Sequence, residues 1–374
     1  MLGGVAEQAD RDGAEPRGGG IDGLNAEDPG ARLLGATLRS VPPADLLLVH
    51  CGDLPSLSPG ALRLILDVRE RAGSVHRCVD EDLAGSSLRD DAGFAAAAVW
   101  PRAHLGLDFT EFCLARGAAA LRDGGSLWCA VRKRKGGERI GAAMRALLGN
   151  LAIRERARGY RLFESVRHDG AFDAELARAW LERRYEIRDP QLVPLVLESA
   201  PGVFSRSALD AGTAALIRYA QAHAPAPGAP VSRVIDLCAG IGPLGLWAAS
   251  RWPDAQVLAV ESNTRAAALL ARNAERAALA SRVALHVGDG LPADGFDAFR
   301  NGGTALALLN PPTHAPARVL RRLVEGLAGW LQRGAPAWIV ASRPGRVLEA
   351  VAASGGSATP QDVDRYVVVE ARWG

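Results

Sequence analysis

The chain has 374 residues, 48% of them hydrophobic and 23% charged, and a formal net charge of +2 at pH 7. These are the values of a globular protein rather than of a disordered or membrane-embedded chain, and the length predicts two domains of roughly 150 to 200 residues. The near-neutral balance excludes a strong bulk field toward nucleic acid, so any such contact has to come from local patches.

Cys51, Cys78, Cys113, Cys129 and Cys238 are scattered, odd in number and without a pair at metal-ligand spacing. That pattern predicts reduced thiols in a cytoplasm and no bound metal. No basic-then-apolar leader opens the sequence, and no apolar run nears the ~18 residues that cross a bilayer, so no membrane contact is expected. Lys133 and Lys135 are the only lysines; nearly all positive charge is arginine.

In chain order, residues 1–32 are rich in Gly, Asp, Glu and Arg without an apolar period and read as a disordered tail. A first domain is expected over 33–190. Leu46-Leu47-Leu48-Val49 reads as a buried strand, 62–72 as a helix, 95–100 as a second strand stopped by Pro101, 109–121 as an amphipathic helix and 127–131 as a third strand. Alternating strands and helices predict a parallel α/β sheet. Its first strand runs into His50-Cys51-Gly52-Asp53-Leu54-Pro55, which has too little glycine for a cofactor turn, so this sheet reads as degenerate. The run Arg132-Lys133-Arg134-Lys135 is the densest basic cluster and is either a solvated loop or a contact for several phosphates. Further on, 162–166 reads as a closing strand and 172–183 as a helix.

The second domain, 191–374, contains a helix over 214–222, a Pro/Ala/Gly linker to Val231, and then strands at 233–237, 256–260, 283–287, 304–309, 336–341 and 365–371. Helices are expected at 243–251, 264–278, 316–331 and 344–353. The pattern is that of a complete doubly wound α/β domain.

Two stretches of this domain carry chemistry. In Asp236-Leu237-Cys238-Ala239-Gly240-Ile241-Gly242-Pro243-Leu244-Gly245 a buried strand enters a glycine turn that opens a helix, leaving free N–H groups and a positive dipole end for a ligand. Dinucleotide-binding folds use a similar turn. Glu261 at the next strand end suits a ribose diol, and Asp289 at the one after suits an adenine amino group. The second stretch is Asn310-Pro311-Pro312. An Asn carbonyl and the carbonyl of the first proline can both accept from one exocyclic NH2, aiming its lone pair at an electrophile, while prolines stiffen the turn and remove competing donors. Methyl transfer from a sulfonium needs mainly this alignment.

Gly202-Val203-Phe204-Ser205 through Leu209-Asp210-Ala211-Gly212-Thr213, the glycine turn, and Asn310-Pro311-Pro312-Thr313-His314 together resemble the bacterial ribosomal RNA guanine-N2 methyltransferases, which have a class I S-adenosylmethionine-dependent fold. The resemblance extends into the first region through Trp100-Pro101-Arg102 and Gly159-Tyr160-Arg161-Leu162-Phe163, which look like that family's N-terminal half. It implies two tandem Rossmann-like methyltransferase domains, the first having lost cofactor binding. It further implies S-adenosylmethionine held by Phe204, Ser205, Asp210, Gly212, Asp236, Cys238, Gly240, Gly242, Glu261, Asp289 and Asn310. Asn310, Pro311 and Pro312 then form the catalytic turn, and Thr313 and His314 lie beside the target base. Cys238 stands in place of the first glycine of the turn. Thr313 stands where the family carries an aromatic that stacks on the flipped base, a contact of roughly 1–3 kcal/mol in comparable settings.

The expected function is S-adenosylmethionine-dependent N-methylation of a guanine N2 in ribosomal RNA or an assembled ribosomal subunit, with Arg132, Lys133, Arg134 and Lys135 positioning the RNA. Two other readings stand beside it: a methyltransferase for a small molecule or protein amide, and a catalytically silent RNA-binding protein retaining the fold. The sequence leaves the oligomeric state open.

Overall fold

The computed structural model describes residues 28–52, 60–71, 77–79, 92–134, 136–223, 231–300, 303–312 and 316–374. The expected tail up to residue 27, the linker at 224–230, Lys135, Thr313 and His314 lie outside the described residues.

The first domain runs α1 (Pro29–Leu38), β1 (Leu46–Val49), β2 (Leu62–Ile65), β3 (Arg77–Val79), β4 (Phe94–Val99), α2 (Leu107–Ala120), β5 (Leu121–Arg132), α3 (Gly137–Leu148), β6 (Ala152–Ala157), β7 (Tyr160–Val166) and α4 (Ala174–Leu181). Its seven strands lie in the order β3-β2-β1-β4-β5-β7-β6. Ala31, Leu34 and Leu38 of α1 pack on one face with Leu46, Leu48 and Ala96. On the other face α2, α3 and α4 bury Phe109, Met144 and Trp180 against Val49, Val99 and Phe163.

Three expectations change here. The tail does not reach residue 32: Asp28 accepts from Gly30 N–H at 2.8 Å and caps α1, with Pro29 at its first turn. An Asp-Pro pair is a helix start that the surrounding Gly-rich composition hides. The helix expected at 62–72 is β2 followed by a 3-10 turn at Val68–Arg71. Leu62-Arg63-Leu64-Ile65 lies between two strands and is too short for a period that separates it from a helix. Finally, the sheet is mixed, because β7 pairs antiparallel with both β5 and β6.

After the hairpin β8 (Tyr185–Ile187) and β9 (Leu197–Ser199), the second domain runs α5 (Ala211–His223), β10 (Arg233–Leu237), α6 (Pro243–Arg251), β11 (Gln256–Glu261), α7 (Thr264–Arg276), β12 (Val283–Val287), β13 (Leu306–Leu309), α8 (Ala317–Ala328), β14 (Ala337–Ala341), α9 (Gly345–Ala353), β15 (Ser357–Val363) and β16 (Tyr366–Arg372). Side-chain packing changes hands ahead of it: Trp180 belongs to the first core and Ile187 to the second. The strand order is β12-β11-β10-β13-β14-β16-β15, the same topology as the first sheet.

Registers make the two sheets comparable residue by residue. In the first, Val49 pairs with Leu64 and with Val99; in the second, Leu237 pairs with Val260 and with Leu309. Counting from these anchors, Leu48 and Ile65 occupy the places of Asp236 and Glu261. The first domain therefore has hydrocarbon where the second has its two strand-end acids. By the same count Trp100-Pro101-Arg102 occupies the place of Asn310-Pro311-Pro312.

The domains join at equivalent points. Asp67 forms an antiparallel bridge with Asn263, its counterpart by register, and the flanking bonds are reciprocal: Val68 N–H donates to Ser262 O at 3.0 Å and Thr264 N–H to Leu66 O at 2.8 Å. Ser262 Oγ also donates to Asp67 Oδ2 at 3.0 Å. The contact has local two-fold symmetry and sets the C-terminal strand edges of the two sheets against each other.

Candidate active site

Strand β10 ends in a turn that the backbone can make only with left-handed residues: Cys238 has φ 65°, Gly240 φ 57° and Gly242 φ 97°. Helix α6 then starts at Pro243, whose missing N–H is one the first turn would leave unbonded. The acids flanking this turn divide the work. Glu261 is buried, and its two carboxylate oxygens accept from Gly240 N–H and Asn263 N–H, both at 2.7 Å. Burial pushes its carboxyl above the ordinary range.

Asp236 sits lower. It is fully buried, accepts from Gly245 N–H at 2.7 Å and lines neither of the cavities at the strand ends, so it braces the turn from beneath instead of facing a ligand. Burial raises its carboxyl to about 7. A Cβ on Gly245 would lie 2.9 Å from Asp236 Oδ2, so this close approach requires glycine.

The Asn310 amide is held by two partners from the start of α5. Its Nδ2 donates to Asp210 Oδ2 at 2.8 Å and to Thr213 Oγ1 at 2.9 Å. A carboxylate can only accept, which fixes the amide orientation and leaves Oδ1 as the acceptor. Asp210 also caps α5, accepting from Thr213 N–H at 2.9 Å. Gly212 keeps this corner open: a side chain there would stand 3.0 Å from Asp210 Oδ2 and 3.5 Å from Asn310 Oδ1.

A cavity of about 310 Å³ joins these parts, lined by Phe204, Asp210, Cys238, Gly240, Glu261, Asp289, Asn310, Pro311 and Pro312. Ser205 and Thr213 line a small adjoining cavity of about 50 Å³ with Phe204, Asp210, Gly240 and Asn310. Asp289 is ion-paired with Arg322 at 2.6 Å. Phe204 projects from the preceding turn, 69% exposed. Gly242 has another task, since its backbone passes where a Cβ would come within 3.0 Å of Leu246 and Leu270. Of the first-domain cluster, Arg132 is turned back onto Asp28 at 3.1 Å and onto Tyr160 Oη at 2.5 Å, while Lys133 and Arg134 are exposed.

Several lining residues carry no sequence signal. Leu66, Asp67, Arg69 and His104 reach the 310 Å³ cavity from the first domain, beside Arg102 of the Trp100-Pro101-Arg102 segment. Asp67 grips Arg69 at 2.5 Å, and although burial alone would raise its carboxyl, that guanidinium holds it below the ordinary value. Tyr366 closes the cavity from β16. Thr213 could have been found from Asp210-x-x-Thr213, the spacing of a capped helix start.

Residues 194–369 match the model of the methyltransferase small domain. That stretch, a little under half of the chain, is similar to the methyltransferase small-domain family. Similar proteins include a ribosomal RNA small subunit methyltransferase C of Pseudomonas putida, 32% identical over 56% of this chain and 58% of that protein. A ribosomal RNA large subunit methyltransferase G of Streptomyces coelicolor is 32% identical over 38% of this chain and 36% of that protein. The chain thus spans less than two thirds of the length of either relative. Among solved structures, the T. thermophilus 16S rRNA N2 G1207 methyltransferase in complex with AdoMet and guanosine superposes with a TM-score of 0.73 at 23% identity, over 93% of this chain and 92% of that one. The likeness covers both domains and fixes the fold as two tandem Rossmann-like sheets. The matched stretch holds the glycine turn, Asp236, Glu261 and Asn310, and the preceding domain supplies one wall of the cavity.

Among the described residues no helix is long and apolar enough to cross a membrane, and no cluster of three or more His, Cys, Asp or Glu side chains could hold a metal ion.

Proposed function

We propose that the protein is a cytoplasmic S-adenosylmethionine-dependent methyltransferase that modifies the exocyclic N2 amine of a guanine in ribosomal RNA. The observation that carries this reading is the fixed Asn310 amide: both Nδ2 hydrogens are taken by Asp210 and Thr213, and Oδ1 is left to accept, beside the glycine turn in one cavity.

The residues present fit the cofactor. Gly240 has open space where a side chain would stand, Glu261 offers a carboxylate at the turn, and the Phe204 ring is exposed at the rim. Gly240, Cys238, Glu261, Asp289 and Phe204 would hold it, with Asp236 and Gly242 shaping the turn, and S-adenosylmethionine would supply an electrophilic methyl group on a sulfonium.

The chain's own groups do the rest. Asn310 Oδ1, with the Pro311 carbonyl, accepts the two hydrogens of the target NH2 and so directs the nitrogen lone pair into the cavity. Donation from Asn310 to the Asp210 carboxylate polarises the amide and strengthens Oδ1 as an acceptor. Positive charge then develops on the target nitrogen next to Oδ1 and Asp210, which stabilises it. A base inside a stacked helix cannot reach Asn310, so the nucleotide has to be unstacked or flipped. The names of the relatives, methyltransferases of both ribosomal subunits, support RNA as the substrate.

The test is incubation with labelled S-adenosylmethionine and ribosomal RNA from a strain lacking the gene, followed by nucleoside mapping. Label in N2-methylguanosine is expected. Cofactor binding with no transfer to RNA overturns the assignment.

A further inference from the structure

The cleft built on the glycine turn is smaller than a second one, formed in the first domain. A cavity of about 600 Å³ opens at the C-terminal ends of β4 and β5 in the first domain, and its lining includes Trp100, Arg102, His104, Arg132, Arg139 and Tyr160. By register, Trp100-Pro101-Arg102 stands where Asn310-Pro311-Pro312 stands in the second domain. The first domain has therefore lost the acids of a cofactor site but kept an open cleft at its acceptor end, with an indole in place of the amide.

We propose that this cleft binds a second nucleotide of the same RNA strand, its base against Trp100 and its phosphate on Arg139. The proposal rests on RNA being the substrate.

Four observations carry it. Half-buried Trp100 lines the cleft and offers its indole to a base of any identity, backed at a ring-centroid distance of 6.2 Å by Tyr160, which is itself buried under the Arg132 guanidinium. Arg139 is exposed and makes no ion pair among the described residues, so its guanidinium is available to a phosphate. Asp28, the carboxylate of the lining among the described residues, is already neutralised by Arg132 and by the Tyr160 hydroxyl at 2.8 Å, so it does not repel an anion. The cleft also adjoins the cavity around Asn310, since Arg102 and His104 belong to both walls. A strand whose target base is flipped toward Asn310 therefore meets this cleft a short distance away. Arg102 is pinned by Glu70 at 2.6 Å and by His50 O at 3.2 Å, which gives the shared wall a fixed position.

The experiment is titration of the full chain with a fluorescein-labelled single-stranded oligoribonucleotide by anisotropy, at several salt concentrations. S-adenosylmethionine calorimetry on the same samples monitors the other site. Trp100→Ala should weaken RNA binding roughly ten-fold and Trp100→Phe should restore most of it, as expected for a stacking contact. Arg139→Gln, on an exposed position that leaves the core intact, should reduce the slope of log K against log salt by about 0.7. Cofactor affinity should stay unchanged in all three. Wild-type RNA affinity and slope in Arg139→Gln, or no recovery in Trp100→Phe, overturns the proposal, as does a wild-type chain that binds no RNA. RNA bound in this cleft by a chain that transfers no methyl group sinks the methyltransferase assignment and leaves the cleft standing.

Discussion

Asp210 and Asn310 lie 100 residues apart in sequence and 2.8 Å apart in space, the carboxylate of one orienting the amide of the other. Replacing Asn310 with Ala removes the acceptor for the target amine, and kcat should fall by about 10²–10³, with cofactor affinity within a few-fold of wild type. Asp210→Asn lets the Asn310 amide turn over and should lower kcat by roughly ten-fold or more without abolishing it. Steady-state kinetics alongside calorimetry checks both; parallel loss of cofactor binding in Asn310→Ala would place that side chain in the wrong role.

Gly245→Ala introduces a methyl group 2.9 Å from Asp236 Oδ2 and 3.2 Å from Val257. Overpacking of that kind costs about 1–3 kcal/mol, more than the helix propensity of alanine returns. Urea unfolding should show the loss, and cofactor affinity should fall with it because the turn rests on this contact. A stabilised variant would contradict the geometry.

Asp236 gives a pH signature. Its carboxyl is raised from 3.8 to about 7 by burial, so the fold favours the protonated form. The contribution is fully present below about pH 4 and is lost as pH rises toward 7, on the order of 4 kcal/mol across that window. Asp236→Asn keeps the shape and cannot ionise. Its stability relative to wild type should therefore increase between pH 4 and 7, measured by chemical denaturation at each pH. A difference that stays flat would mean the carboxyl titrates normally.

Neutralising Lys133, Arg134 and Lys135 should weaken RNA binding and reduce its salt slope by about 2, at roughly 0.7 per phosphate on a single strand. Arg132 is best left in place, because it holds Asp28 and Tyr160. Unchanged salt dependence would make the run a solvated loop.

The second domain was legible because its physics is local. Buried parallel strands such as Val234-Ile235 are continuous apolar runs, and the turns between strands and helices carry glycine, proline or acid. Elements that escaped had no such pattern. Strand β15 is a polar edge strand whose residues are largely exposed, so no alternation marks it. Helix α3 does have apolar residues at Ile140, Met144 and Leu147, but it begins directly behind the basic run, which reads as loop. The site divides the same way. Glu261, Asn310 and the glycines announce themselves at strand ends, whereas Asp67 and Arg69 face the cavity only because two domains are joined. Asp236 was visible as a residue of the turn, yet its direction, down toward Gly245, depends on a helix packing that no spacing encodes.

The reciprocal bonds between Leu66 and Thr264 and between Val68 and Ser262 are isologous, the kind of contact that two identical subunits make about a dyad. A single chain that carries one has the interface of a homodimer written into its backbone, where it survives any divergence of side chains. One half could then give up its acids while the other kept them, because main-chain pairing is indifferent to which side chains it joins. What remains is a heterodimer in one polypeptide: one half carries the glycine turn and the fixed Asn310 amide, and the other an open cleft.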